Sequence, residues 1–143
     1  MMTGDDRARP PILCLNSGSS SVKCALYQLG ETDDVLLAQG AVERIGLPGG
    51  RLWLRGSEHD VLTDVSTDFP THLAAINAAF AALAQHGLPP PAAVGHRLVH
   101  GGPEHAAPAR VDAPLLETLR HCVALAPLHM PSALQAIDAV TAR

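Results

Sequence analysis

Ile12-Leu13-Cys14-Leu15-Asn16-Ser17-Gly18-Ser19-Ser20-Ser21-Val22-Lys23 is the stretch from which the rest of the chain can be read. Its apolar start stops at Asn16, a glycine and serines follow, and it closes on Lys23. This is the pattern of an anion-binding turn between two strands, with Ile12 to Leu15 as the first and Val22 to Leu29 as the second. Gly18 lets the backbone approach a ligand closely and present N–H groups. If alternation is regular from Ser19 onward, Ser19, Ser21 and Lys23 lie on one side of the second strand. Two hydroxyls and an ammonium would then face one point, which is what a phosphate or nucleotide tail requires. Asn16, at the strand end, could reach a hydrated Mg²⁺ through its side-chain oxygen, by way of a water. Lys23 is the only lysine among 10 basic residues, which points to a need for a compact ammonium rather than a guanidinium fork. The stretch is not a Walker A loop, because the glycine before the lysine is absent and a strand follows instead of a helix. A Ser-rich hairpin turn with a solvated lysine fits the same residues, and spacing alone leaves both readings open.

Working outward, Gly30, Asp33 and Asp34 mark the next turn, and Val35 to Ile45 reads as a third strand. Gly46 to Gly50 is a loop by composition. Arg51 to Arg55 and Asp60 to Val65 form a hairpin around Gly56, Ser57 and Glu58. Thr71 to His86 is the clearest helix: Leu73, Ile76, Phe80 and Leu83 fall on one stripe, Thr71 can cap the start and Gly87 can end it. Ala92 to Val99 reads as a short strand stopped by Gly101, Gly102 and Pro103. Asp112 to Leu125 is a second helix with Leu115, Leu119 and Cys122 on one face, and Pro131 opens a third with Leu134, Ile137 and Val140 at helical spacing. Three strands, a hairpin, a helix, a strand and two helices imply an α/β layer with a mixed sheet. A further strand is expected to follow the last helix, so the sheet should have an unpaired edge.

The chain has 143 residues, 47% of them apolar, which suits one domain with a modest core. A net charge of −4 argues against nucleic acid as the main partner. No stretch approaches the roughly 18 unbroken apolar residues of a membrane span. Residues 1–11 have no apolar signal core and read as a flexible N-terminal tail ahead of a domain over 12–143. Cys14, Cys24 and Cys122 form no C-x-x-C pair and read as buried free thiols in a reducing cytoplasm.

Two further segments carry chemistry. In Gly95-His96-Arg97-Leu98-Val99-His100-Gly101-Gly102, strand alternation would put Arg97 and Val99 on one face. A guanidinium fork beside an apolar surface suits a short carboxylic acid or its acyl phosphate, although a structural ion pair would also use Arg97. His96 and His100 have helical i, i+4 spacing, but in a strand they sit roughly 13 Å apart, too far to share a metal ion. In Ala126-Pro127-Leu128-His129-Met130-Pro131, His129 sits near a helix N-terminus, where it could donate to a phosphoryl or acyl oxygen or serve as a simple cap.

Together, residues 15–23, 95–102 and 126–129 resemble the acetate kinase family, which includes propionate and butyrate kinases. The family pattern is an apolar strand, Asn, a small residue, Gly, three serines, an apolar residue and Lys, followed by Gly-His-Arg with two apolar residues and His-Gly-Gly, then Ala-Pro-Leu-His. The three segments match in the family's order, and the resemblance runs from about residue 11 to the end. It implies the first, incomplete half of a duplicated ribonuclease-H-like, actin-like ATPase fold. It also implies phosphoryl transfer between ATP and acetate, giving ADP and acetyl phosphate, with Mg²⁺.

By the same resemblance, Asn16 lies at the metal and Ser19, Ser21 and Lys23 border the ATP phosphates. Arg97 binds the carboxylate or acyl phosphate, Val99 and Leu128 line the pocket for the methyl group, and His129 is catalytic, steadying the transferred group. The family's catalytic aspartate, a further histidine and arginine, a metal-binding glutamate and the adenosine loops are expected beyond residue 143, as are the parts that form its homodimer. The 143 residues alone are therefore expected to be inactive. The resemblance departs at Met130, where the family has Asn. Two rival readings stand beside it: the same chemistry on a longer acid, propionate or butyrate, and a non-catalytic phosphate-binding module working at this length.

Overall fold

A computed structural model describes residues 9–143. Most of the expected N-terminal tail lies outside the described residues, and Pro11 already belongs to the first strand. The strands are β1 (Pro11–Ser17), β2 (Ser21–Gln28), β3 (Val35–Glu43), β4 (Arg51–Gly56), β5 (Val61–Ser66) and β6 (Ala93–His96). The α-helices are α1 (His72–Gln85), α2 (Ala113–His121) and α3 (Met130–Thr141), and a short 3₁₀ turn over Cys122–Leu125 prolongs α2. One 6-stranded sheet has the order β5-β4-β3-β2-β1-β6. β1 to β5 form an antiparallel meander, and β6 joins the far side of β1 in parallel. A parallel neighbour cannot be reached by a tight turn, and α1 supplies the crossover.

The sheet has one covered and one open face because its strands alternate. Leu13, Leu15, Val22, Leu26, Val42, Leu52 and Leu54 point into the core, where they meet α1 and the alanines of α3. Cys14, Asn16 and Lys23 occupy the intervening positions and are exposed. A smaller cluster of Leu119, Cys122, Met130, Leu134 and Ile137 joins α2 to α3. Cys24 and Cys122 are buried, as free thiols in a core should be, but Cys14 is exposed on the open face, against expectation. Burial pushes the Cys24 thiol up to about 11, so it stays protonated near neutrality. Met130 is buried in the smaller cluster, so the side chain that departs from the family pattern packs against Leu119 and Ile137 instead of facing solvent.

Two expectations need correction. The buried stripe of α1 is His72, Ala75, Ile76, Ala79, Ala82 and Leu83, while Leu73 is 51% exposed. The helix is rotated so that small alanines, not Leu73, approach the sheet, and His72 takes the inward place in the first turn. The second correction concerns β6, which ends at His96 rather than Val99. Its last ladder bond is the Arg97 amide to the Leu15 carbonyl at 3.0 Å, after which Leu98 turns into the α2–α3 cluster. Strand alternation therefore does not extend to Val99 and His100. The Gly102 amide donates instead to His100 Nδ1 at 2.9 Å, with Gly102 at φ 75°.

The rotation of α1 can be tested with two alanine substitutions. Ile76→Ala should destabilise the chain by about 2–5 kcal/mol because it opens a cavity. Leu73→Ala should change stability by only about 0.5 kcal/mol. Urea denaturation of the two variants measures both.

Candidate functional site

The turn between β1 and β2 is fastened from several sides. Inside it, the Gly18 amide donates to the Ser21 carbonyl at 2.7 Å. That amide is therefore not available to a ligand, contrary to the simplest reading of the glycine. The Ile45 amide donates to the Ser20 carbonyl at 2.8 Å, and His72 Nε2 lies 2.8 Å from the Gly18 carbonyl. Ser17 Oγ donates to the Ser132 carbonyl at 3.2 Å, which ties the start of the turn to the first turn of α3. Among the described residues, the Ser19 and Ser20 amides donate to no protein acceptor.

Lys23, Asn16 and Arg97 line one cleft of about 630 Å³ on the open face, together with Cys14, Gln39 and Trp53. The register explains their convergence. Asn16 lies directly opposite Lys23, and Leu15 pairs with His96, which brings Arg97 alongside Asn16. The three residues thus form a row across β2, β1 and the end of β6. Two strand spacings, roughly 10 Å, separate the backbones of Lys23 and Arg97, within reach of two long side chains. Among the described residues no carboxylate lines this cleft, so its lining is positively charged. The acidic residues of the open face sit further out, where Asp64 is engaged by Arg51 at 2.8 Å.

The remaining candidates are not gathered there. Ser21 shares the open side with Lys23 by alternation, but Ser19 sits in the turn and lines a separate hollow of about 370 Å³ with Thr71, His72, Leu128 and Ser132. The strand begins at Ser21, so alternation does not carry Ser19 to the Lys23 side. Val99 is exposed and lines neither cavity, and Leu128 is 77% exposed at the edge of the Ser19 hollow. The expected methyl pocket of Val99 and Leu128 beside Arg97 is therefore not assembled in this chain. His129 is the exposed N-cap of α3 and makes no side-chain cap bond. Among the described residues, no three His, Cys, Asp or Glu side chains gather as a metal site. His72, Ser17 and Trp53 escaped the sequence reading. The 4-3-4 spacing of His72, Ile76, Ala79 and Leu83 was the signal that could have revealed His72.

The family model of the Acetokinase family matches residues 11–143. The chain belongs to the Acetokinase family. It is 41% identical to the acetate kinase of Clavibacter michiganensis subsp. michiganensis, an alignment covering 91% of this chain and 33% of that protein. The crystal structure of Porphyromonas gingivalis acetate kinase superposes with a TM-score of 0.82 at 34% identity, covering 92% of this chain and 34% of that one. A propionate kinase from Francisella tularensis subsp. tularensis SCHU S4 superposes with a TM-score of 0.78 at 28% identity, covering 91% of this chain and 33% of that one. The chain thus spans about a third of the length of these Acetokinase-family relatives. The mixed sheet with its helices is part of their actin-like ATPase fold. Among the described residues, no helix is long and apolar enough to cross a membrane.

His96, which borders the cleft from the end of β6, provides a pH test. Burial pushes its imidazole below the ordinary value of 6.5. The unfolded chain then binds this proton more readily than the folded one. The stability contributed by neutral His96 is complete above pH 6.5 and is lost as pH falls through the lower, folded value. His96→Gln should remove this acid-side decline. Comparing urea midpoints of the two proteins at about pH 5.5 and about pH 7.5 measures it: wild type should lose more on acidification than the variant.

Proposed function

We propose that the chain supplies part of the active site of a cytoplasmic kinase that transfers the γ-phosphoryl group between ATP and acetate. In the forward direction a carboxylate oxygen of acetate bonds to the γ-phosphorus. The bond from that phosphorus to the β,γ-bridging oxygen breaks, and ADP leaves with that oxygen, while acetyl phosphate forms. The observation that carries this reading is the convergence of Lys23 and Arg97 on one cleft with no carboxylate among its described lining residues. Both reactants are anions, and transfer between them needs mainly positioning and neutralisation of charge. Lys23, as a compact ammonium, suits the phosphate tail, with Ser21 on its side of β2 and Ser19 contributing from the turn beside it rather than from the cleft. The planar Arg97 fork suits the carboxylate, and then two oxygens of the acyl phosphate.

In this reading Val99, Leu128 and His129 complete the site when the segments carrying them, on either side of α2, close over the substrates. Leu128 already shares a hollow with Ser19. The cleft's own donors do not fit a protein-held magnesium ion: Asn16 and Gln39 offer only neutral amide oxygens, whereas Mg²⁺ is ordinarily bound through carboxylates and substrate phosphates. Magnesium is therefore taken to arrive with the nucleotide as its complex, as part of the substrate.

The test is an acyl phosphate assay on the complete polypeptide that carries these residues, with MgATP and acetate, propionate or butyrate in turn. Acetate should give the highest kcat/KM, and Arg97→Ala should lower it by about two orders of magnitude, the effect of removing one charged clamp. Preference for a longer acid would move the assignment to propionate or butyrate kinase. Absence of acyl phosphate with every acid would overturn it. The 143 residues alone are expected to show no turnover, and acetate-dependent ADP formation by them would contradict that expectation.

A further inference from the structure

We propose that His72 is a positioning residue for anion binding, holding the Gly18 carbonyl toward α1 and so aiming the Ser19 amide outward at the phosphate. The inference rests on the reading of the 18–20 turn as a phosphate-binding element. Its physical basis is the geometry of one peptide unit. The described residues contain no cis peptide, so the Gly18 carbonyl and the Ser19 N–H point in opposite directions from their shared plane. Whatever fixes one fixes the other. The carbonyl is fixed by His72 Nε2 at 2.8 Å. A carbonyl offers only lone pairs, so Nε2 carries the hydrogen and donates it.

His72 is itself well placed to hold that position. It is 7% exposed, lies in the first turn of α1 on the same stripe as Ile76 and Leu83, and follows Thr71, whose Oγ1 accepts from the Ala74 amide at 3.1 Å. A buried polar side chain in a core stripe costs stability unless it is hydrogen-bonded, and here its partner is the turn itself. The Ser20 carbonyl is held in the same way by the Ile45 amide. The Gly18 carbonyl bond orients the Ser19 amide and the Ser20 carbonyl bond anchors the following peptide; the Ser19 and Ser20 amides themselves have no protein acceptor among the described residues. Such amides form an anion-binding concavity. Without the His72 donor, the Gly18–Ser19 peptide is free to rotate, and a carbonyl dipole can face the anion where an N–H belongs.

The experiment is a titration of the whole chain with inorganic tripolyphosphate, followed by amide proton–nitrogen NMR. In wild type the Ser19 amide proton should move downfield on binding, and Lys23→Ala should weaken binding. His72→Leu should weaken binding roughly five- to tenfold, the value of one net hydrogen bond, and abolish the Ser19 shift. His72→Gln retains an N–H donor and should restore both the shift and the affinity to within about twofold. A purely structural role for His72 would lower thermal stability without selectively erasing the Ser19 response. If His72→Leu does not fold, the wild-type imidazole decides: a hydrogen on Nε2 supports the proposal, and a bare Nε2 overturns it. Equal binding and an equal Ser19 shift in folded His72→Leu would overturn the role of His72 while leaving the phosphate turn intact. Wild type that ignores tripolyphosphate, with Lys23→Ala unchanged from it, would remove the turn's function and this inference with it.

Discussion

The register between β1 and β2 is the constraint on which the rest depends. It pairs Leu15 with Cys24, Asn16 with Lys23 and Ser17 with Val22. In this pairing Leu13, Leu15, Val22 and Leu26 enter the core while Asn16 and Lys23 reach the open face. Because side chains alternate strictly along a strand, a slip of one residue would bury the lysine and expose the leucines. Burial of those apolar side chains, each worth about 1.5–3 kcal/mol, enforces the register. The same burial holds the cationic cleft in place on the opposite face.

The turn joining these strands has little apolar surface of its own, so its shape comes from its neighbours. Contacts from α1, from the segment after β3 and from α3 converge on its few peptide groups. These elements are distant in sequence: Gly18 meets His72, and Ser17 meets Ser132. The alanines on the inner face of α1 let the helix lie close to the sheet, and that close approach puts His72 within hydrogen-bonding distance of the turn. Core packing and site geometry are thus one arrangement at this end of the sheet.

The charge pattern of the open face follows a similar economy. Lys23 and Arg97 line a cleft with no carboxylate among the described residues, whereas Arg51 is engaged by Asp64. Cations without a carboxylate partner among the described residues suit anionic ligands, and that matches the chemistry proposed for this Acetokinase-family chain. Val99, Leu128 and His129 remain on exposed segments around α2. Against relatives about three times its length, this chain presents a fastened turn and an open cationic cleft rather than a closed pocket.

Much of this was legible in the sequence. Short apolar runs bounded by glycine and serine specify strands and turns through local sterics and alternation, and the strand, hairpin and helix order followed from them, as did the Thr71 cap and the Pro131 start of α3. The three motif segments were sufficient to indicate the family. Only the tertiary structure decided the rotation of α1, the end of β6 at His96, the separation of Ser19 from Lys23 and the hydrogen bond from His72 to Gly18. Local sequence patterns encode which residues are apolar and how often they recur. Which side of an alanine-rich helix faces the sheet, and which carbonyl a distant histidine meets, depend on close packing between segments that are far apart along the chain.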